Sequence, residues 1–274
     1  MKIAFFGSPR FAKIIIEELI KNNLAPVVVV TNPDRVVGKK KILTEPVAKA
    51  LAVKHKITVL QPEILDEDFI KTLQSFNLDV ILVAAYSKIL KLEVLNSAKH
   101  KTVGIHPSLL PLYRGATPIQ SVLLSGEEKT GTTIYQMDEK MDNGPVIAQE
   151  DLAITSDETY LSLEEKLAHL SSRLITENLE KYLSGELKPT PQDKSKATFT
   201  KKIVTTDAQV DYLIDDPVII YRKIQALTPE PGVYTFNYPK KEGRRVKILK
   251  AKLVDNKLYP LVIQEAGKKQ IELK

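Results

Sequence analysis

The run Val103-Gly104-Ile105-His106 ends an apolar stretch on a histidine, and Pro107-Ser108-Leu109-Leu110-Pro111 follows as a turn stiffened by two prolines. Downstream, Gln136-Met137-Asp138-Glu139-Lys140-Met141-Asp142-Asn143-Gly144 runs from a strand end into a polar loop, with an aspartate before Asn-Gly. Imidazole changes charge near neutral pH, and a carboxylate beside it orients the ring and stabilises its cation. His106 and Asp142 on neighbouring strand ends would therefore form a proton-handling pair. Each residue alone also has an ordinary reading, a histidine at the surface end of a strand and an aspartate in a turn. The fold decides between these readings, because open α/β sheets bind ligands beyond the carboxyl ends of their strands.

The surrounding sequence predicts such a sheet. Lys2 to Phe6 reads as a strand and Gly7-Ser8-Pro9 breaks it. Ser8 suits the N-cap and Pro9 the first position of a helix with Ala12, Ile15, Ile16 and Leu19 on its apolar face. Further strands are expected at residues 27–30, 58–60, 80–85, 102–105, 132–137 and 145–149. Helices are expected at 45–55, from an Asp66 cap through Leu73, and at 156–183. Strand and helix alternate, so the class is α/β with parallel strands. Gly7-Ser8-Pro9 is not a three-glycine dinucleotide fingerprint, which speaks against a nicotinamide cofactor. From Lys188 to Lys202 the chain is rich in Pro, Lys, Ser and Thr with little apolar period, a linker signature. One helix over 217–227 follows, then short strands punctuated by Pro231-Gly232, Asp255-Asn256 and Ala266-Gly267, the spacing of a small β-barrel. The expected division is a first domain over 1–188, a linker over 189–204 and a second domain over 205–274.

With 274 residues, 43% hydrophobic and 27% charged, the chain can build a substantial core. It has no cysteine, which leaves out disulfides, cysteine nucleophiles and thiolate metal sites and suits a reducing cytoplasm. No run approaches the ~20 apolar residues that span a bilayer, so a soluble intracellular protein with no membrane partner is expected. The net charge of +6 is unevenly placed: residues 185–274 hold 18 Lys and Arg against 11 Asp and Glu, and the first 184 hold 22 against 23. A basic final third is either a solubility feature or a surface for a polyanion such as nucleic acid.

The stretch from Val103 to Asp142 resembles the folate-dependent formyltransferases, whose mark is Asn-x-His-x-Ser-Leu-Leu-Pro followed by a distant Asp-x-Gly. His106, Ser108, Leu109, Leu110, Pro111, Asp142 and Gly144 stand in register with it. Arg114-Gly115-Ala116-Thr117-Pro118-Ile119-Gln120 looks like the helix start of the methionyl-tRNA branch of that family. The likeness runs from Phe6-Gly7-Ser8-Pro9 and Thr31-Asn32-Pro33-Asp34-Arg35 to Thr228-Pro229 and Ala266-Gly267-Lys268-Lys269, nearly the whole chain. It implies a Rossmann-like formyltransferase domain followed by a small OB-like β-barrel domain that binds tRNA. The implied substrates are 10-formyltetrahydrofolate and methionyl initiator tRNA, with no metal and a monomeric state. His106 and Asp142 are the implied catalytic residues. Ser108, Leu109, Leu110 and Pro111 match the folate-contacting turn, with Ala85 and Tyr86 along the pterin pocket. Arg35, Lys39, Lys40 and Lys41 around Gly38 match a loop inserted into the acceptor stem, a cationic finger suited to phosphates.

One position departs from the pattern. Where the family has an asparagine two residues before the histidine, this chain has Gly104, which offers no side-chain donor to a developing oxyanion. Losing one such donor typically costs about 10²–10³ in turnover. Three readings follow: a neighbour such as Asn143 or a water replaces the amide, the enzyme is slow, or the chain binds folate or RNA without catalysis. If Gly104 marks a missing donor, Gly104→Asn is expected to raise the rate, whereas an unchanged or lower rate would argue for a compensated site or for a steric need of glycine. A sugar-amine N-formyltransferase is the rival enzyme, and it should lack the Lys39-Lys40-Lys41 finger and the basic second domain.

Overall fold

Strands buried on both faces read as unbroken apolar runs rather than alternating ones. That is the pattern of β1 (Ile3–Phe6), β2 (Val28–Val30) and β6 (Val80–Ala84), buried at every position. The structure, a computed structural model, describes residues 1–37 and 41–273. Around these three strands lie α1 (Arg10–Lys21), β3 (Arg35–Val37), β4 (Ile42–Thr44), α2 (Val47–Lys54), β5 (Thr58–Leu60), α3 (Glu67–Ser75), α4 (Leu92–Leu95) and β7 (Val103–His106). Then follow α5 (Pro118–Ser125), β8 (Lys129–Gln136), β9 (Val146–Ala153), α6 (Tyr160–Leu183) and α7 (Pro217–Leu227). The chain closes with β10 (Tyr234–Thr235), β11 (Val246–Val254), β12 (Lys257–Glu265) and β13 (Ile271–Glu272).

Seven strands form one sheet in the order β5-β2-β1-β6-β7-β8-β9. The pairs from β5 through β7 are parallel, and β8 runs antiparallel to β7. One face of the core joins Ala4, Phe6, Val28, Val30, Ile81 and Val83 of the sheet to Phe69 and Leu73 of α3. The Asp66 cap forms as expected, its carboxylate accepting from Phe69 N at 3.0 Å. Ser8 does not cap α1. Pro9 is the N-cap without a side-chain bond, and the buried Ser8 hydroxyl instead accepts from Asn32 N at 2.8 Å, tying two strand-end loops together.

By packing, the chain forms two units: residues 1–115, 131–152 and 164–199 in one, and 116–130, 153–163 and 200–274 in the other. The stretch with linker composition is thus divided, and residues 189–199 belong to the first unit. Thr190 exchanges two backbone hydrogen bonds with Val146, both 2.8 Å. In the second unit α5 packs against α7, and β10-β11-β12-β13 form an antiparallel sheet. α7 occupies the expected 217–227, with Asp216 as N-cap and Pro217 at its first position.

Candidate active site

Side chains two apart on a strand share a face, so Gly104 and His106 of β7 look the same way. The antiparallel register places Tyr135 of β8 directly opposite Gly104. Cross-strand partners also share a face, and three positions thus converge. His106 is 6% exposed. Its Nε2 lies 2.8 Å from the Tyr113 carbonyl, which can only accept, so Nε2 carries a proton and donates. Nδ1 faces Asp142 Oδ2 at 3.6 Å, so the His–Asp pair is close but longer than a hydrogen bond.

Asp142 is held from several sides. Its backbone is left-handed, at φ 48°. Oδ2 accepts from Gly115 N at 2.7 Å and Oδ1 from the Tyr135 hydroxyl at 2.7 Å. Gly144 is required by closeness, since a Cβ there would fall 1.8 Å from the Gln136 carbonyl oxygen.

The space beside Gly104 is filled. An ideal Cβ on Gly104 would lie 2.4 Å from Tyr135 Cζ, 2.5 Å from Cε1 and 2.7 Å from the phenol oxygen. Tyr135 is 3% exposed, so its ring has little room to yield. Burial, with Asp142 beside it, pushes the phenol well above its ordinary range and keeps it a donor. Asn143, the expected substitute, is committed elsewhere: its amide donates to Asp138 at 2.7 Å and accepts from Arg114 at 3.2 Å. Of the two outcomes expected for Gly104→Asn, this geometry favours a steric need for glycine, because the asparagine would collide with the ring.

Two residues of this network have no site role assigned from the sequence. Arg114 is 4% exposed, and its guanidinium donates to Gln192 Oε1 at 2.6 and 3.2 Å as well as to Asn143. Gln192 lies in the stretch with linker composition, yet its amide donates to the carbonyls of Asp142 and Gly144 at 3.0 and 2.7 Å. It therefore pins the loop that carries the carboxylate. Only the extended bias of Pro189 and Pro191 hinted that this segment is laid out straight.

The turn after His106 is braced from within. Ser108 is fully buried, and its hydroxyl donates to the Leu112 carbonyl at 2.6 Å. Thr133 Oγ1 donates to Ser108 O at 2.7 Å and accepts from Leu110 N and Gln149 Nε2. Leu110 is buried, and Leu109 Cδ2 packs 2.5 Å from where a Gly131 Cβ would be. Of the expected folate-contacting turn, Leu109 and Pro111 are half-buried. Ala85 and Tyr86 follow β6, Ala85 exposed and left-handed at φ 50°. Tyr86 packs edge-on against Phe6, ring centroids 5.3 Å apart. Its buried phenol oxygen has no hydrogen-bond partner among the described residues, and burial pushes the phenol up to about 12. An incoming polar group would satisfy that oxygen.

Arg35 opens β3 opposite Thr44, at the base of the β3–β4 hairpin, and Lys41 immediately precedes β4 at its far end; both are exposed, Lys41 at φ 48°. Gly38, Lys39 and Lys40 lie outside the described residues. At the hairpin base, Asp34 accepts from Gln61 and pairs with Lys49 at 2.7 Å, and these two partners hold its carboxyl below the usual carboxylate range. Among the described residues no three His, Asp or Glu side chains converge as a metal site, and no helix is long and apolar enough to cross a membrane.

Residues 1–179 match the formyl transferase family model, and residues 202–272 match the model of the formyl transferase C-terminal domain. The methionyl-tRNA formyltransferase of Thermotoga maritima is 42% identical over 238 residues, covering 86% of this chain and 75% of its own. That of a Sulfurihydrogenibium species is 39% identical over 264 residues, 95% and 83% of the two chains. Among solved structures, a methionyl-tRNA formyltransferase from Clostridium thermocellum superposes with a TM-score of 0.64 at 18% identity, covering 99% of each chain. An N-formyltransferase from Helicobacter canadensis, in complex with folinic acid and dTDP-3-aminofucose, gives 0.67 at 18% identity over 93% and 88%. At such identities the two structures speak to the fold alone; the sequence relatives and the matched domains carry the assignment, and the chain belongs to the methionyl-tRNA formyltransferase family.

Proposed function

We propose that the protein transfers the formyl group of 10-formyltetrahydrofolate to the α-amine of methionyl initiator tRNA. The observation that carries the reading is the pairing of buried His106, at the end of β7, with the half-buried Asp142 of the loop after β8, in a chain 42% identical to a methionyl-tRNA formyltransferase. The amine lone pair forms a bond to the formyl carbon, and the formyl oxygen becomes an oxyanion in a tetrahedral intermediate. The bond to folate N10 then breaks, and the ammonium proton passes to that nitrogen. His106 supplies a proton donor and positive charge beside the oxyanion, and Asp142, facing Nδ1, stabilises the imidazolium and accepts the amine's proton through water. To serve a substrate oxygen, Nε2–H must exchange the Tyr113 carbonyl for it. The orphan Tyr86 phenol and the braced 107–111 turn fit a folate lying beyond β6 and β7.

Arg35, Lys39, Lys40 and Lys41 are assigned to the tRNA acceptor stem, and the basic 185–274 stretch to a broader RNA surface. The protein acts as a monomer in the cytoplasm. The test is a formylation assay with 10-formyltetrahydrofolate and charged initiator tRNA. Formyl-methionyl-tRNA is expected, with a KM for tRNA that rises steeply with salt. Salt-sensitive tRNA binding without turnover would replace this reading with a binding protein, and transfer to a nucleotide-linked amino sugar instead would replace it with a sugar enzyme.

A further inference from the structure

We propose that Gly104 and Tyr135 work as one unit in which the glycine makes room for a positioning tyrosine, and that the Tyr135 hydroxyl fixes the Asp142 carboxylate opposite His106. The strand register sets the two residues face to face. The phenol ring fills the volume a Gly104 side chain would need, with three atoms between 2.4 and 2.7 Å of an ideal Cβ. The hydroxyl donates to Oδ1 of Asp142 at 2.7 Å while Oδ2 faces His106. Tyr135 is buried under the site, so it acts through the carboxylate and not on the substrate. Gly115 N grips the second oxygen, and the two donors together leave the carboxylate one orientation.

A merely structural tyrosine would need its ring but not its hydroxyl. A hydrogen bond to a charged group converts to roughly ten- to hundredfold in rate when it serves the transition state. Tyr135→Phe is therefore expected to lower kcat by that factor with KM for tRNA and folate unchanged. Gly104→Asn alone is expected to lose activity and melting temperature, and Gly104→Asn with Tyr135→Leu to recover both above the Gly104→Asn level, because the smaller partner vacates the space.

These tests rest on the formyl-transfer reading only for their rates. If the unaltered protein forms no formyl-methionyl-tRNA, that reading fails, and the proposal is judged on melting temperatures: recovery in the double variant, and a non-additive cycle between Tyr135→Phe and Asp142→Asn. If the protein is active and Tyr135→Phe keeps full kcat, or if the double variant melts no higher than Gly104→Asn, the proposal is overturned.

Discussion

The face shared by β7 and β8 and the hairpin of β3 and β4 are built on opposite terms. On the first, Gly104, His106 and Tyr135 are all buried, and the carboxylate, guanidinium and amides around them are bonded to one another. On the second, Val36, Val37, Ile42 and Leu43 are 55–66% exposed, and among the described residues β3 and β4 form a two-stranded sheet of their own. A two-stranded hairpin has little stability alone, and here its base is tied down through Asp34, Gln61 and Lys49. Bond-making groups need fixed geometry and a low dielectric, so they are buried and over-determined. On the proposed function the hairpin meets a polyanion, and that task needs reach and charge rather than a buried, fixed geometry. The two regions should therefore fail differently when altered, the buried face in kcat and the hairpin in KM.

The largest effect that would break this comparison is on the buried face. His106→Ala is expected to lower kcat by about 10³-fold with little change in tRNA binding; a change confined to KM would put His106 in the wrong region. Next, Gln192→Ala should cost roughly tenfold in kcat, because it frees the loop holding Asp142, and steady-state kinetics at saturating tRNA would show it. On the hairpin, Lys41→Ala should leave kcat intact, raise KM for tRNA, and reduce the slope of log affinity against log salt by about 1. An unchanged slope would remove that lysine from the RNA surface.

The smallest effect concerns Glu265 in the second unit, which Lys268, Arg244 and Lys241 surround at 3.0, 2.8 and 3.1 Å. Hydrogen bonds from Lys268, then Arg244 and Lys241, lower its carboxyl to about 2. A depressed folded-state pKa stabilises above the ordinary carboxylate range, and that contribution disappears as pH falls toward 2. Glu265→Gln should therefore melt slightly below the unaltered protein at neutral pH, with the gap closing between pH 5 and pH 2 in thermal melts.

Much of the frame was legible from local patterns. The apolar runs at β1, β2 and β6, the Asp66 cap and the Asp216-Pro217 start of α7 each depend on neighbours a few residues away. Ser8 was misread for the opposite reason: its hydroxyl oxygen accepts from the backbone N–H of Asn32, 24 positions on, and that distant donor outcompetes the helix's own N–H groups. Gln192 was invisible because composition marks 189–204 as a linker, while its bonds reach back 48 and 50 positions.

By itself the sequence determined the family, the α/β class, the His106–Asp142 pair and the departure at Gly104, because motif spacing and hydrophobic period are properties of the chain read in order. What stands beside Gly104 was decided only by tertiary structure. The register of two antiparallel strands put Tyr135 there, and whether a missing side chain leaves a gap or room for a neighbour depends on which residue lies across the strand pair.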